Sequence, residues 1–221
     1  MVSDSDTVFL VSIDPPLACG DLPTVLARLR ESWPPPRLVE LLVSPVPAVV
    51  KTAAICLGLT GSMQDCHQLV SLLGHADEHV ASAAEDALWN IWMRAGSERA
   101  NAALRAAGEP LREGDSETAL GRLKELTAEE DSFAEAHHQQ AIALHALERY
   151  EQAEASYQRA LTLNPHHFAA AAGLGHICVQ RGDYAGALRY YHRALHIHPR
   201  LTEIREIVPQ LEAAVRHRVV A

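Results

Sequence analysis

The chain has 221 residues, 48% of them hydrophobic and only 5% aromatic, enough for one or two small domains in which alanine carries much of the packing. A formal charge of −9 argues against a nucleic-acid partner, because binding a phosphate backbone needs a dense basic surface. The acid is concentrated upstream: residues 1–96 carry 5 basic and 11 acidic side chains, residues 97–221 carry 14 and 17.

Met1–Asp6 is acidic where a secretory signal would be basic. The longest uncharged runs, Leu41–Val50 and Thr52–Gln64, are broken by Pro45, Pro47, Gly58 and Gly61 and are too short to span a bilayer. Cys19, Cys56, Cys66 and Cys178 form no CxxC pair and read as reduced thiols. These features predict a cytoplasmic protein with no membrane partner. Residues 1–20 read as an N-terminal arm. Within it Val8–Ile13 is open between strand, extended and helical forms, and Asp14-Pro15-Pro16 is expected to end the segment. Leu22–Ser32 is predicted helical, with Asp21 as N-cap and Pro23 in the first turn.

A period of 31 residues follows. Leu38–Thr60 superposes on Leu69–Ile91 without a gap, and seven of the 23 pairs are identical, including Leu38/Leu69, Leu41/Leu72, Val49/Val80, Ala53/Ala84 and Leu57/Leu88. Each unit reads LV-x-LL, a turn, then V-x3-A-x3-L, which places one apolar stripe on each of two helices. These residues resemble the HEAT-repeat family, in particular the short repeats of phycobilisome-lyase-like proteins. The arginine that often follows the valine is replaced here by Val50 and Ala81. Residues 21–96 are therefore expected to form HEAT-like repeats. Trp89, Trp92 and Met93 share a face at the end of this segment. They read as a packed seam to the next segment, or else as an aromatic anchor for a partner.

A second period, of 34 residues, occupies 97–202. Ala134–His167 aligns with Phe168–Leu201 without a gap and with eight identities, among them Tyr150/Tyr184, Ala153/Ala187, Tyr157/Tyr191, Ala160/Ala194 and Pro165/Pro199. Ala100–Phe133 is a degenerate copy: Gly114-Asp115, Ala119 and Leu123 are in register, but Gly108-Glu-Pro110 should kink or shorten its first helix. A fixed period of this length marks a stack of helix pairs. The units resemble tetratricopeptide (TPR) repeats through Leu174-Gly175, Gly182-Asp183-Tyr184, Ala187-x3-Tyr191-x2-Ala194 and Pro199. Gln140 departs from that pattern, standing where leucine is usual. Residues 203–221 read as a capping helix and tail, apolar through Ile204, Ile207, Leu211 and Val215. The fold class expected is all-α, an α-solenoid of HEAT-like repeats followed by TPR repeats, with about ten or eleven helices beyond residue 20.

No catalytic motif is present, so no enzyme activity and no cofactor are expected. Thirteen histidines invite a metal reading, but His75/His79 and His192/His196/His198 do not offer the convergent ligand set zinc requires, and no metal site is expected. His166-His167 reads as exposed linker.

In a TPR stack the first helices of successive repeats line a concave face, and the 3.6-residue period assigns the groove-facing residues. They are Arg105 and Arg112 beside Leu104 in the degenerate unit, Glu135, His138, Gln139, Ile142 and His145 in the next, and Ala169, Ala172, Gly173, His176 and Val179 in the last. Protonation of the histidines is expected to tighten an acidic ligand. Some relatives clamp a chaperone's C-terminal carboxylate with lysines, asparagines and an arginine. The matching positions here, Leu104, Gly108, Gln139, Ala169 and Gly173, carry none of these. The resemblance implies a bacterial protein-interaction adaptor or scaffold that binds a partner protein or peptide in this groove. The alternative it implies is an accessory factor to a cofactor-attaching, bilin-lyase-like enzyme.

Overall fold

The computed structural model describes residues 3–220. Among these the chain is all α, with 13 α-helices, one 3-10 turn and no strand. Twelve of the helices begin after Asp21, more than the ten or eleven expected. None of the helices is long and apolar enough to cross a membrane. The chain divides into two compact units, Met1–Trp92 and Met93–Ala221.

The first unit contains α1 (Asp4–Ala18), α2 (Leu22–Ser32), α3 (Pro35–Leu41), α4 (Pro47–Thr60), the 3-10 turn Met63–Asp65, α5 (Cys66–Leu72) and α6 (Glu78–Trp92). Every identical pair of the 31-residue period on α4 and α6 is a core pair: Val49, Ala53 and Leu57 on α4 and Val80, Ala84 and Leu88 on α6 are all fully buried. Trp92 is buried and Trp89 partly exposed, with the two indoles edge to face at 5.2 Å.

Most of the N-terminal segment is helix α1, which leaves no strand or extended stretch at Val8–Ile13. Ser3 opens α1 with a capping box, its hydroxyl accepting from Asp6 N–H at 3.0 Å while Asp6 accepts from Ser3 N–H at 3.2 Å. Phe9 and Ile13 are then fully buried in a helix that packs on α2 and α4. Pro15 and Pro16 do not end it: they stand in its last turn, and each removes one N–H donor to the carbonyl four residues back. Pro16 cannot donate to Ser12 O, and Arg28 of α2 donates to that carbonyl instead.

The second unit is a run of helix pairs: α7 (Glu98–Arg112) with α8 (Ser116–Glu129), α9 (Ala134–Ala146) with α10 (Tyr150–Leu163), α11 (Phe168–Gln180) with α12 (Tyr184–Ile197), and α13 (Thr202–Val220) over α12. The in-register positions Ala119, Ala153 and Ala187 are fully buried, and Leu123, Tyr157 and Tyr191 nearly so. Helix α13 caps the stack with Ile204, Val208 and Leu211 packed around Ala187 and Tyr191. Helix α7 also corrects expectation: it continues through Gly108 and Pro110 to Arg112. The carbonyl that Pro110 leaves without an intrahelical donor, Ala106 O, accepts from Arg122 of α8 at 2.6 Å. The carbonyls that Pro16 and Pro110 leave without an intrahelical donor are thus each met by an arginine from the next helix. Gln140, at the usual leucine position, is bonded on both sides, donating to Thr127 Oγ1 at 3.4 Å and accepting from Ser156 Oγ at 3.1 Å.

The turns within pairs explain one feature of the 34-residue pattern. Gly114 and Gly182 stand at φ +85° and +72°, followed by the N-cap residues Asp115 and Asp183. The middle repeat has Glu148 at φ +58° in the same place, a conformation that penalises any side chain. Glu148→Gly should therefore raise stability by about 1 kcal/mol, read as a higher thermal midpoint; an unchanged or lower midpoint would mean that the turn carries no strain.

Candidate functional site

Helix α9 contacts α7 and α11 as well as its sequence neighbours, so the first helices of the pairs lie side by side. Along them the structure keeps part of the expected stripe at the surface. Arg105 and Arg112 on α7 and His176 on α11 are exposed; Gln139, Ile142 and His145 on α9 and Ala169, Ala172 and Val179 on α11 are partly exposed.

Three expected contact residues are elsewhere. Glu135 is 1% exposed, His138 4%, and Gly173 is buried. The first turn of α9 is covered by the N-terminus of α11, which brings His167 onto Glu135. Gly173 is pressed against Tyr157: a Cβ there would lie 2.4 Å from the phenol Cζ. Leu104 is likewise core.

The covered residues form a buried polar cluster that the sequence reading missed. His167, expected in an exposed linker, is the N-cap of α11 and fully buried. Its Nδ1 accepts from Ala170 N–H at 3.3 Å, which leaves the proton on Nε2, 3.0 Å from Glu135 Oε2. On the other carboxylate oxygen, His138 Nδ1 donates at 3.1 Å and Gln139 Nε2 at 2.7 Å. Burial alone would raise the Glu135 pKa, but the charge of His138 and the hydrogen bonds from both imidazoles outweigh it and hold the carboxyl well below the usual range. For His167 burial dominates, with His138 adding to it, and the imidazole is pushed down to about 4.

Among the described residues these three form the only group of three or more histidine, cysteine or acidic side chains whose ligand atoms approach within 4.8 Å of one another. The donor chemistry does not suit a metal. A cation on His167 Nε2 would need the proton on Nδ1, where it would face the Ala170 N–H. The cluster instead ties α9 to the start of α11.

At the open end of the groove, His176 Nδ1 lies 2.8 Å from the Tyr191 hydroxyl. Burial, with the Cys178 thiol contributing, pushes the Tyr191 phenol up to about 12. The phenol, the stronger acid of the two neutral groups, donates and the imidazole accepts, so His176 Nε2–H is left as a donor. Burial, with His145 contributing, also lowers the His176 pKa, which opposes the protonation expected to strengthen acidic ligands. The site thus combines a fixed neutral donor, small apolar surface at Ala169 and Ala172, and two exposed arginines. Nothing in it supplies a nucleophile or a base paired with one.

Residues 138–201 match a family model described as tetratricopeptide repeat. Comparison with curated proteins finds no match. Among solved structures, the first TPR of Spaghetti (RPAP3), bound to the HSP90 peptide SRMEEVD, is 17% identical over 55% of this chain and 96% of its own, with a TM-score of 0.53. The TPR2AB-domain complex of yeast Sti1 with pHSP90 is 18% identical over 89% of this chain and 80% of its own, with a TM-score of 0.47. The thermophilic TPR protein TTC0263 of Thermus thermophilus is 19% identical over 89% and 93%, with a TM-score of 0.41. The first likeness extends to the fold alone. Over residues 138–201, then, the chain is similar to tetratricopeptide repeats.

Proposed function

We propose that the protein is an interaction adaptor that holds a partner peptide along the exposed faces of α9 and α11. The observation that carries this reading is the pairing of a fixed donor, His176 Nε2–H, with the partly exposed apolar surface of Ile142, Ala169, Ala172 and Val179. An extended segment can lay an apolar side chain over the alanines while a carbonyl or carboxylate accepts from His176. Arg105 and Arg112 favour acidic residues toward the α7 end. A protein of similar fold is bound to the HSP90 peptide SRMEEVD, which supports peptide occupancy, although the carboxylate-clamp positions differ here.

Selection from a random peptide library, followed by calorimetry of the winning peptide, tests the proposal. Acidic-apolar peptides should be selected. Ala172→Glu should weaken binding at least about tenfold with an unchanged thermal midpoint, since it places a charge on the proposed contact surface. Because the His176 pKa lies below the ordinary histidine value, affinity should change little between pH 8 and pH 7. Full affinity in the Ala172→Glu variant would move binding off this face. A pulldown that recovers a tetrapyrrole-bearing protein would favour the lyase-accessory alternative.

A further inference from the structure

The first unit carries a second cleft, chemically unlike the groove of the second. Helices α4 and α6 pack closely along their length, and on their outer side Ile55, Leu59, Ala83, Asp86, Ala87, Trp89 and Asn90 enclose an open space of about 440 Å3. Its floor is small, with Ala83 and Ala87 buried, and its walls are the partly exposed Ile55, Leu59 and Trp89. The polar groups are one amide and one carboxylate. No basic side chain lines the space, and the Asp86 carboxylate has no hydrogen-bond or ion-pair partner among the described residues. The setting is acidic as a whole: Met1–Trp92 holds four basic side chains against eleven acidic ones.

We propose that this α4/α6 cleft is a docking site for an arginine-bearing apolar segment of a partner protein. The walls decide the class of side chain. Arginine combines a long apolar stem, which can lie along Ile55 and Leu59, with a planar cation that pairs with the Asp86 carboxylate and packs against the Trp89 indole. Lysine satisfies the charge but offers neither the planar stacking nor the two-point carboxylate contact, so it should bind more weakly. An acidic segment meets an unpartnered carboxylate in an already negative unit and is excluded. This site does not depend on the groove proposed above, and it selects the opposite charge. The chain would therefore hold two chemically different segments at once.

The test uses the full-length protein and three fluorescein-labelled eight-residue probes that alternate leucine with arginine, lysine or glutamate, read by fluorescence anisotropy at physiological salt. The arginine probe should bind, the lysine probe several-fold more weakly, and the glutamate probe not at this unit. Asp86→Asn should weaken the arginine probe about tenfold, whereas Glu31→Gln, an equal charge change on the exposed surface of α2, should change it less than twofold. Asp86 is exposed, so its substitution leaves the core intact, and a thermal melt of each variant confirms this. Methyl resonances of Ile55 and Leu59 should shift on titration. The proposal is overturned if Asp86→Asn and Glu31→Gln weaken binding equally, which would mean diffuse attraction. It is overturned too if the arginine probe does not bind, or if the shifts fall on Ile142 and not on Ile55.

Discussion

Gly173→Ala is expected to destabilise the protein by about 2–3 kcal/mol, a loss of roughly 5–10 °C in thermal midpoint. In an isolated helix the same change would be stabilising by about 1 kcal/mol, so its sign reports tertiary packing alone. The added methyl would stand 2.4 Å from Tyr157 Cζ and 2.7 Å from both Cε atoms. The ring cannot retreat, because Tyr157 is 5% exposed and embedded in the core shared by α10 and its neighbours. Gly108 is the internal control: it too lies within a helix, but a Cβ there meets nothing within 4 Å. Gly108→Ala should gain about 0.5–1 kcal/mol. Equal effects at the two positions would show that the Tyr157 contact exerts no steric constraint.

The second large effect is acid sensitivity at the Glu135–His138–His167 cluster. The His167 imidazole is pushed down to about 4 from an unfolded value near 6.5. Above pH 6.5 neither state is protonated there and nothing is lost. Between about 6.5 and 4 the unfolded chain takes up a proton that the native state refuses, so stability falls as pH falls, by up to about 3 kcal/mol. Glu135, held below the carboxylate range in the native state, extends the loss below pH 4.5. The groups facing His167 include the Glu135 carboxylate and the His138 imidazole of α9 and the Ala170 N–H of α11, with Tyr157 of α10 against His138. Urea unfolding at pH 7, 5.5 and 4.5 should show the decline in wild type. His167→Asn keeps a side-chain acceptor for the α11 N-terminus but cannot titrate, and should flatten the slope. Identical slopes in the two proteins would assign the decline to other histidines.

The helix pairs were legible in the sequence because burial recurs at fixed spacing: Val49/Val80, Ala53/Ala84 and Leu57/Leu88 upstream, and Ala119/Ala153/Ala187 downstream, are core positions. Asp21 was readable as a helix start because an N-cap acts locally. What failed depended on a partner from a different helix. A helical wheel turned Glu135 and His138 toward the groove and could not tell that the His167 cap would close over them. The prolines were misjudged for a related reason: the lost bond is visible from one helix, whereas Arg28 and Arg122 come from the next. Asp14 illustrates the same limit, since its carboxylate ends no helix and instead accepts from Thr52 Oγ1 on α4 at 2.8 Å.

In a linear array, the strength of the coupling between neighbours decides whether it melts as one body or in segments. Most of the coupling in the second unit is apolar and indifferent to acidity, but the Glu135–His167 bond joins two successive repeats through a titrating pair. Cooperativity itself should therefore depend on pH. Near neutrality, amide exchange in α9 and in α11 should report a single opening free energy. In mild acid α11, α12 and α13 should exchange ahead of α9, because the array would then open from its C-terminal end as a separate cooperative segment.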